Sequence, residues 1–160
     1  MKIIAFSDSH GNFQNLQKVV LENQDADLFL HLGDCVREFE DIKAVYDNFA
    51  FENISGNCDY DDFARAYKIL MIKKKQIMIT HGHNLCVKYG LENIKDIMTT
   101  QNIDIALFGH THVPLIENWN GKFIINPGSV SLPRQPRREK TYAEIIIKNN
   151  QIFPSIKTIE

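Results

Sequence analysis

Short apolar runs alternate with amphipathic stretches through the first half of the chain. Lys2 to Ser7, with Ile3-Ile4-Ala5-Phe6 at its centre, predicts a buried strand. From Asn12 to Asn23, Phe13, Leu16, Val19, Val20 and Leu21 fall near helical spacing. Asp27 to Leu32 predicts a second strand. Glu38 to Asn48 predicts a helix carrying Phe39, Ile42, Val45 and Tyr46, and Phe49 to Ile54 a third strand. This strand–helix order predicts a parallel sheet joined by right-handed crossovers.

The second half changes rhythm. Ala66 to Ile72 and Gln76 to Thr80 are strand-like runs joined by Lys73-Lys74-Lys75, a pattern that predicts a hairpin. Leu91 to Gln101 predicts a helix with Leu91, Ile94, Ile97 and Met98 on one face, and Asp104 to Phe108 a strand. Val113 to Asn118 and Lys122 to Asn126 flank Asn120-Gly121, the strongest short hairpin signal. Thr141 to Lys148 and Ile152 to Ile159 form another pair across Asn149-Asn150. Parallel units followed by hairpins predict an α/β fold. Its expected form is a four-layer α/β/β/α sandwich of two mixed sheets flanked by helices, with residues 1–160 as one domain.

Composition narrows the function classes. The formal net charge is −2, so no global basic field draws the chain to a nucleic-acid polymer or an anionic membrane. No apolar run is long enough to span a bilayer. The N-terminal apolar stretch meets Asp8 and His10 too early for a signal peptide. Cys35, Cys58 and Cys86 are an odd number without framework spacing, and a reducing cytoplasm is the expected location.

Five strands end in the same kind of polar cluster: Ser7-Asp8-Ser9-His10, Gly33-Asp34, Ser55-Gly56-Asn57-Cys58-Asp59, His81-Gly82-His83, and Gly109-His110-Thr111-His112. Ligands of open α/β sheets bind beyond the carboxyl ends of strands, so these clusters can converge. Asp8 and His10 are two apart, as are His110 and His112. In an extended segment such pairs face one side. Carboxylates, imidazoles and a carboxamide form a mixed N/O set that suits Mn, Fe, Zn, Ni or Co better than Mg or Ca.

The ordered set Asp8-x-His10, Gly33-Asp34, Gly56-Asn57, His81 and Gly109-His110-x-His112 resembles the calcineurin-like metallophosphoesterases. The chain's shortness and its Gly56-Asn57-Cys58-Asp59 segment resemble the small YfcE-like prokaryotic phosphodiesterase branch, to which the eukaryotic retromer subunit is related. The resemblance runs from the first strand through Asn126-Pro127-Gly128-Ser129. It implies two divalent transition-metal ions, manganese first, with Ni, Fe, Zn or Co as alternatives. Asp8, His10 and His112 would hold one ion, Asn57, His81 and His110 the other, and Asp34 would bridge them. Two such ions activate a shared water and neutralise the attacking and leaving oxygens.

The implied substrate is a small phosphodiester. Cys58 stands where many larger members have a histidine acid, and a thiol is a weak donor. Asp59 is grouped with the catalytic set, and His83, beside His81, is the candidate replacement donor. Asn12 and Arg134 are the candidate substrate contacts. A homodimer or higher homo-oligomer is the expected assembly.

Plainer readings stand beside these. His31 lies inside an apolar strand and reads as a core histidine. Asp59 reads as a residue that orients its neighbours. Lys73 to Lys75 reads as a solvated hairpin tip, and Arg134, Arg137 and Arg138 fit an ordinary surface loop as well as a phosphate contact. The alternative function is a binding scaffold of the same fold with weak catalysis. A metallo-hydrolase acting on amides or lactones is a third reading, and the lack of a His-x-His-x-Asp-His motif argues against its metallo-β-lactamase type.

Overall fold

The computed structural model describes residues 1–60 and 66–159. Its first half is β1 (Lys2–Phe6), α1 (Phe13–Glu22), β2 (Leu28–His31), α2 (Val36–Val45) and β3 (Phe51–Asn53). The hairpin β4 (Lys68–Ile72) and β5 (Lys75–Ile79) follows, then a 3₁₀ turn at His83–Leu85, α3 (Glu92–Thr100) and β6 (Ile105–Leu107). The chain closes with β7 (Leu115–Trp119), β8 (Lys122–Asn126), β9 (Thr141–Lys148) and β10 (Gln151–Thr158).

Ten strands form two five-stranded mixed sheets, ordered β10-β9-β1-β2-β3 and β4-β5-β6-β8-β7. β1, β2 and β3 pair in parallel, while β9 runs antiparallel to β1. In the other sheet β5, β6 and β8 are parallel, with antiparallel edges β4 and β7.

The period-2 alternation of strands explains the layering. Ile3, Ala5, Leu28 and Leu30 point from the first sheet toward Ile77, Ile79, Ile105, Leu107 and Ile125 of the second. Their neighbours Ile4, Phe6 and Phe29 point outward onto Leu16, Val19 and Val20 of α1 and Phe39 and Ile42 of α2. Met78, Ala106 and Ile124 face Ile94 and Met98 of α3. Both faces of these central strands are therefore buried, and their sequences are continuous apolar runs rather than alternating ones. The result is the four-layer α/β/β/α sandwich.

Several element ends differ from the sequence expectation, two of them for a clear local reason. α2 starts at Val36 rather than Glu38, because Cys35 adopts a left-handed conformation and a distant carboxylate caps the first turn. The β4–β5 turn uses only Lys73 and Lys74, at φ 48° and 66°, and Lys75 already pairs with Ile72. Asn120-Gly121 and Asn149-Asn150 make the expected left-handed hairpin turns. Among the described residues no helix is long and apolar enough to cross a membrane.

Candidate metal centre

The five polar clusters meet at one end of the two sheets. Backbone bonds stitch them together: the Asp8 amide donates to the Gly33 carbonyl at 3.0 Å, and the Gly109 amide to the His81 carbonyl at 3.1 Å. Gly33 and Gly56 pack backbone to backbone. A Cβ on Gly33 would lie 2.6 Å from the Gly56 nitrogen, and one on Gly56 would collide with Asp34. Gly33 also stands at φ 95°, so glycine serves both geometry and space there.

Convergence does not come from the extended spacing that the sequence predicts. Asp8 (φ 57°), His10 (φ 42°), Asp34 (φ 63°), His110 (φ 65°) and His112 (φ 61°) all adopt left-handed backbone. Each turns the chain sharply just past its strand and swings its side chain inward. Such conformations cost non-glycine residues about 1 kcal/mol or more each, and they concentrate where function requires them.

Asp8, His10, Asp34 and His112 bring one ligand atom each to within 4.8 Å of one another. Asp8, Asp34 and His112 are buried, and His10 is half-buried. The hydrogen bonds fix the imidazole tautomers. His112 Nδ1 lies 2.6 Å from the Leu132 carbonyl and His81 Nδ1 lies 2.7 Å from the Leu32 carbonyl. A carbonyl only accepts, so each Nδ1 carries the proton and each Nε2 presents a lone pair.

Those lone pairs face other acceptors. His112 Nε2 is 3.2 Å from Asp8 Oδ1 and 3.3 Å from His10 Nε2. Asp8 Oδ1 is buried and has no hydrogen-bond partner among the described residues. His81 Nε2 is 3.1 Å from Asn57 Oδ1 and 3.4 Å from Asp34 Oδ1. Acceptors gathered this way repel unless a cation stands among them, so the donor set fits a divalent metal. Asp34 addresses both groups: its Oδ2 lies 3.6 Å from His10 Nε2, while its Oδ1 faces His81.

His110 joins the second group through its ring, 5.1 Å from that of His81, and its amide donates to Asp8 Oδ2 at 3.1 Å. Burial, His81 and the positive charge of Lys88 push His110 down to about 4, so at neutral pH its ring is neutral and one nitrogen keeps its lone pair. Burial works to raise Asp8, but the positive charge that His112 and His81 carry when protonated holds the carboxyl below its ordinary value. The His10 and His112 side is enclosed, whereas Asn57 is exposed, so the second group opens to solvent.

The remaining expected residues separate by role. Asp59 accepts four backbone N–H groups, from Asp34 (2.9 Å), Cys35 (2.7 Å), Val36 (2.8 Å) and Gly56 (2.8 Å). It is an anionic clasp between the Asp34 and Asn57 loops and the N-terminal cap of α2, with both carboxylate oxygens engaged by backbone amides. Cys58 is exposed, and its amide donates to Asp34 Oδ1 at 2.9 Å. Burial and Asp34 push its thiol up to about 11, so it stays protonated at neutral pH.

His83 stacks at 5.4 Å from His81 and 6.1 Å from His110, with its Nδ1 buried and unpartnered among the described residues. Burial and His81 lower its pKa, so at neutral pH it offers a hydrogen bond from a neutral ring. Asn12 accepts from the Asn15 amide at 3.0 Å and caps α1, which accounts for its oxygen without a substrate. The Arg134 amide donates to the His112 carbonyl, placing this loop at the rim.

Sequence reasoning passed over three supports. Ser129 Oγ donates to the Asp8 carbonyl and accepts from Ser131 and Leu132. Asn126 donates to the Gly109 carbonyl and to Thr111 Oγ1. The Asn126-Pro127-Gly128-Ser129 string was the available signal for both. Lys88, identified only by its charge at His110, left no motif.

His31 is a core histidine, fully buried and stacked on Phe39 at 5.1 Å. The Gly33 amide donates to its Nδ1, so Nε2 carries the proton toward Ser9 Oγ, which in turn donates to the Asp34 carbonyl. Burial lowers its pKa to about 4 from 6.5. Between those values the unfolded chain binds a proton that the folded chain refuses. Its contribution to stability is therefore full above pH 6.5, and about 3 kcal/mol is lost as pH falls to 4. In metal-free protein, His31→Phe is expected to flatten the pH dependence of urea unfolding in that window by this amount. An unchanged slope would contradict it.

The chain is similar to known proteins in sequence and fold. Residues 1–150 match the family described as the calcineurin-like phosphoesterase superfamily domain. The chain is 33% identical over 151 residues to the probable metallophosphoesterase YsnB of Bacillus subtilis, covering 94% of this chain and 86% of that one. It is 27% identical over 158 residues to the phosphodiesterase YfcE of Escherichia coli, covering 84% and 82%. A crystal structure of a predicted phosphoesterase from Streptococcus pneumoniae superposes with a TM-score of 0.84 at 25% identity, covering 98% of this chain and 88% of that one.

Proposed function

This chain belongs to the calcineurin-like phosphoesterase superfamily, and from that premise we propose that it is a phosphodiesterase working with two divalent metal ions. The observation that carries the reading is Asp34, whose two oxygens face two separate sets of lone pairs. Asp8, His10 and His112 would hold one ion, Asn57, His81 and His110 the other, with Asp34 shared. Manganese suits this N/O set, as do Fe, Ni, Zn and Co. Bound there, the ions supply Lewis acidity and a water of lowered pKa.

The chain's own residues do the rest. Leu32 and Leu132 carbonyls hold His81 and His112 in the ligating tautomer. Asp59 holds the Asp34 loop. Counting two divalent ions, two aspartates, a hydroxide and neutral histidines gives about +1, which favours an anionic phosphate ester. Every expected ligand position is filled, which supports catalysis over a binding scaffold. On manganese-loaded protein an activated diester should turn over faster than the matching monoester, and a lactone not at all. Lactone hydrolysis matching the diester rate would sink the reading.

Leaving-group dependence follows from Cys58. A thiol held up to about 11 protonates a departing alkoxide poorly. Cys58→His is expected to raise turnover of diesters with poor leaving groups by about tenfold relative to activated ones. Equal change on both substrates would show that position 58 does not touch the leaving oxygen.

A further inference from the structure

A groove of about 460 Å³ adjoins the candidate metal centre, lined by Ser131, Leu132, Pro133, Arg134 and Arg138. It shares a hydrogen-bonded frame with the ligands. The Leu132 carbonyl accepts from His112, the Arg134 amide donates to the His112 carbonyl at 3.1 Å, and Ser129 ties Leu132 to Asp8. The loop then folds back. Arg138 takes a left-handed turn at φ 51°, with its amide donating to the Gln135 carbonyl at 2.9 Å, and returns to the same wall as Arg134.

The charges in this groove are uncompensated. Neither guanidinium has an ion-pair or hydrogen-bond partner among the described residues. Two unpaired guanidiniums in one concavity suit a tetrahedral oxyanion, which each can grip through paired N–H donors. Leu132, about half exposed at 51%, adds apolar contact beside them.

Resting on the phosphodiesterase reading, we propose that the groove binds a second phosphate group of the substrate. The scissile diester would sit on the metals. The ester arm passing His112 would carry a further phosphate to Arg134 and Arg138. The substrate class is then a diester with an additional phosphate on one arm, as in phosphorylated nucleotide conjugates.

The test uses the full chain loaded with manganese, turning over bis(p-nitrophenyl) phosphate. Adenosine 5′-monophosphate and adenosine 3′,5′-bisphosphate serve as inhibitors, and calorimetry measures the binding of each directly. The bisphosphate is expected to bind about tenfold more tightly than the monophosphate, and Arg134→Gln/Arg138→Gln to reduce that ratio to below about twofold. The Arg138→Gln variant alone should reduce it part of the way. Equal binding of both nucleotides, or an advantage that survives in the double variant, overturns the proposal. Absence of diester turnover with the calorimetric preference intact would instead count against the phosphodiesterase reading.

Discussion

Asp34→Asn is expected to lower kcat/KM on an activated phosphodiester by about a thousandfold or more and to reduce bound manganese below two ions per chain. The carboxylate lies between His10 and His81, with one oxygen toward each. An amide keeps the shape but offers one acceptor and a pair of N–H donors. Those donors would face an imidazole lone pair, satisfying it without a cation. Steady-state kinetics with metal analysis of the same sample checks this. Retention of both ions and of activity would show that Asp34 is not shared.

Asp59→Ala should produce the largest loss of stability at the site. Four amides now end on one carboxylate at 2.7–2.9 Å, and two of them belong to Asp34 and Cys35, both in left-handed conformation. Charge-assisted bonds to buried amides are worth more than neutral ones, and stranding the donors adds a desolvation penalty. The expected cost is about 3–5 kcal/mol in urea unfolding, with metal affinity weakened about 10–100-fold. Asp59→Asn should fall between, since one amide oxygen still accepts. Unchanged unfolding with lost activity would instead place Asp59 in direct contact with the reaction.

Much of this was legible in the chain. The apolar runs before four of the clusters marked the interior strands β1, β2, β5 and β6, because strands buried on both faces need continuous apolar sequence. The types and order of Asp8, His10, Asp34, Asn57, His81, His110 and His112 marked residues that the fold brings to one end of the sheets, four of them close enough to hold a metal ion. What the sequence could not carry was how the chain turns. Left-handed backbone at five of those residues has only a weak residue-type signature, since Asp and His are enriched there but mostly adopt other conformations. Asp59 was legible as an orienting residue, but its four partners lie across two loops joined only by folding. His31 read as core from its apolar neighbours. Its tautomer and its link through Ser9 to Asp34 depend on distances alone.

Two ions sharing the Asp34 carboxylate make activity depend on a second metal equivalent. Metal-stripped protein titrated with manganese, with diester turnover and bound metal measured at each step, tests it most directly. Activity should be absent at first and rise to its limit only as the second equivalent per chain is filled. Full activity in the stripped protein, or a limit reached at one ion per chain, would contradict it.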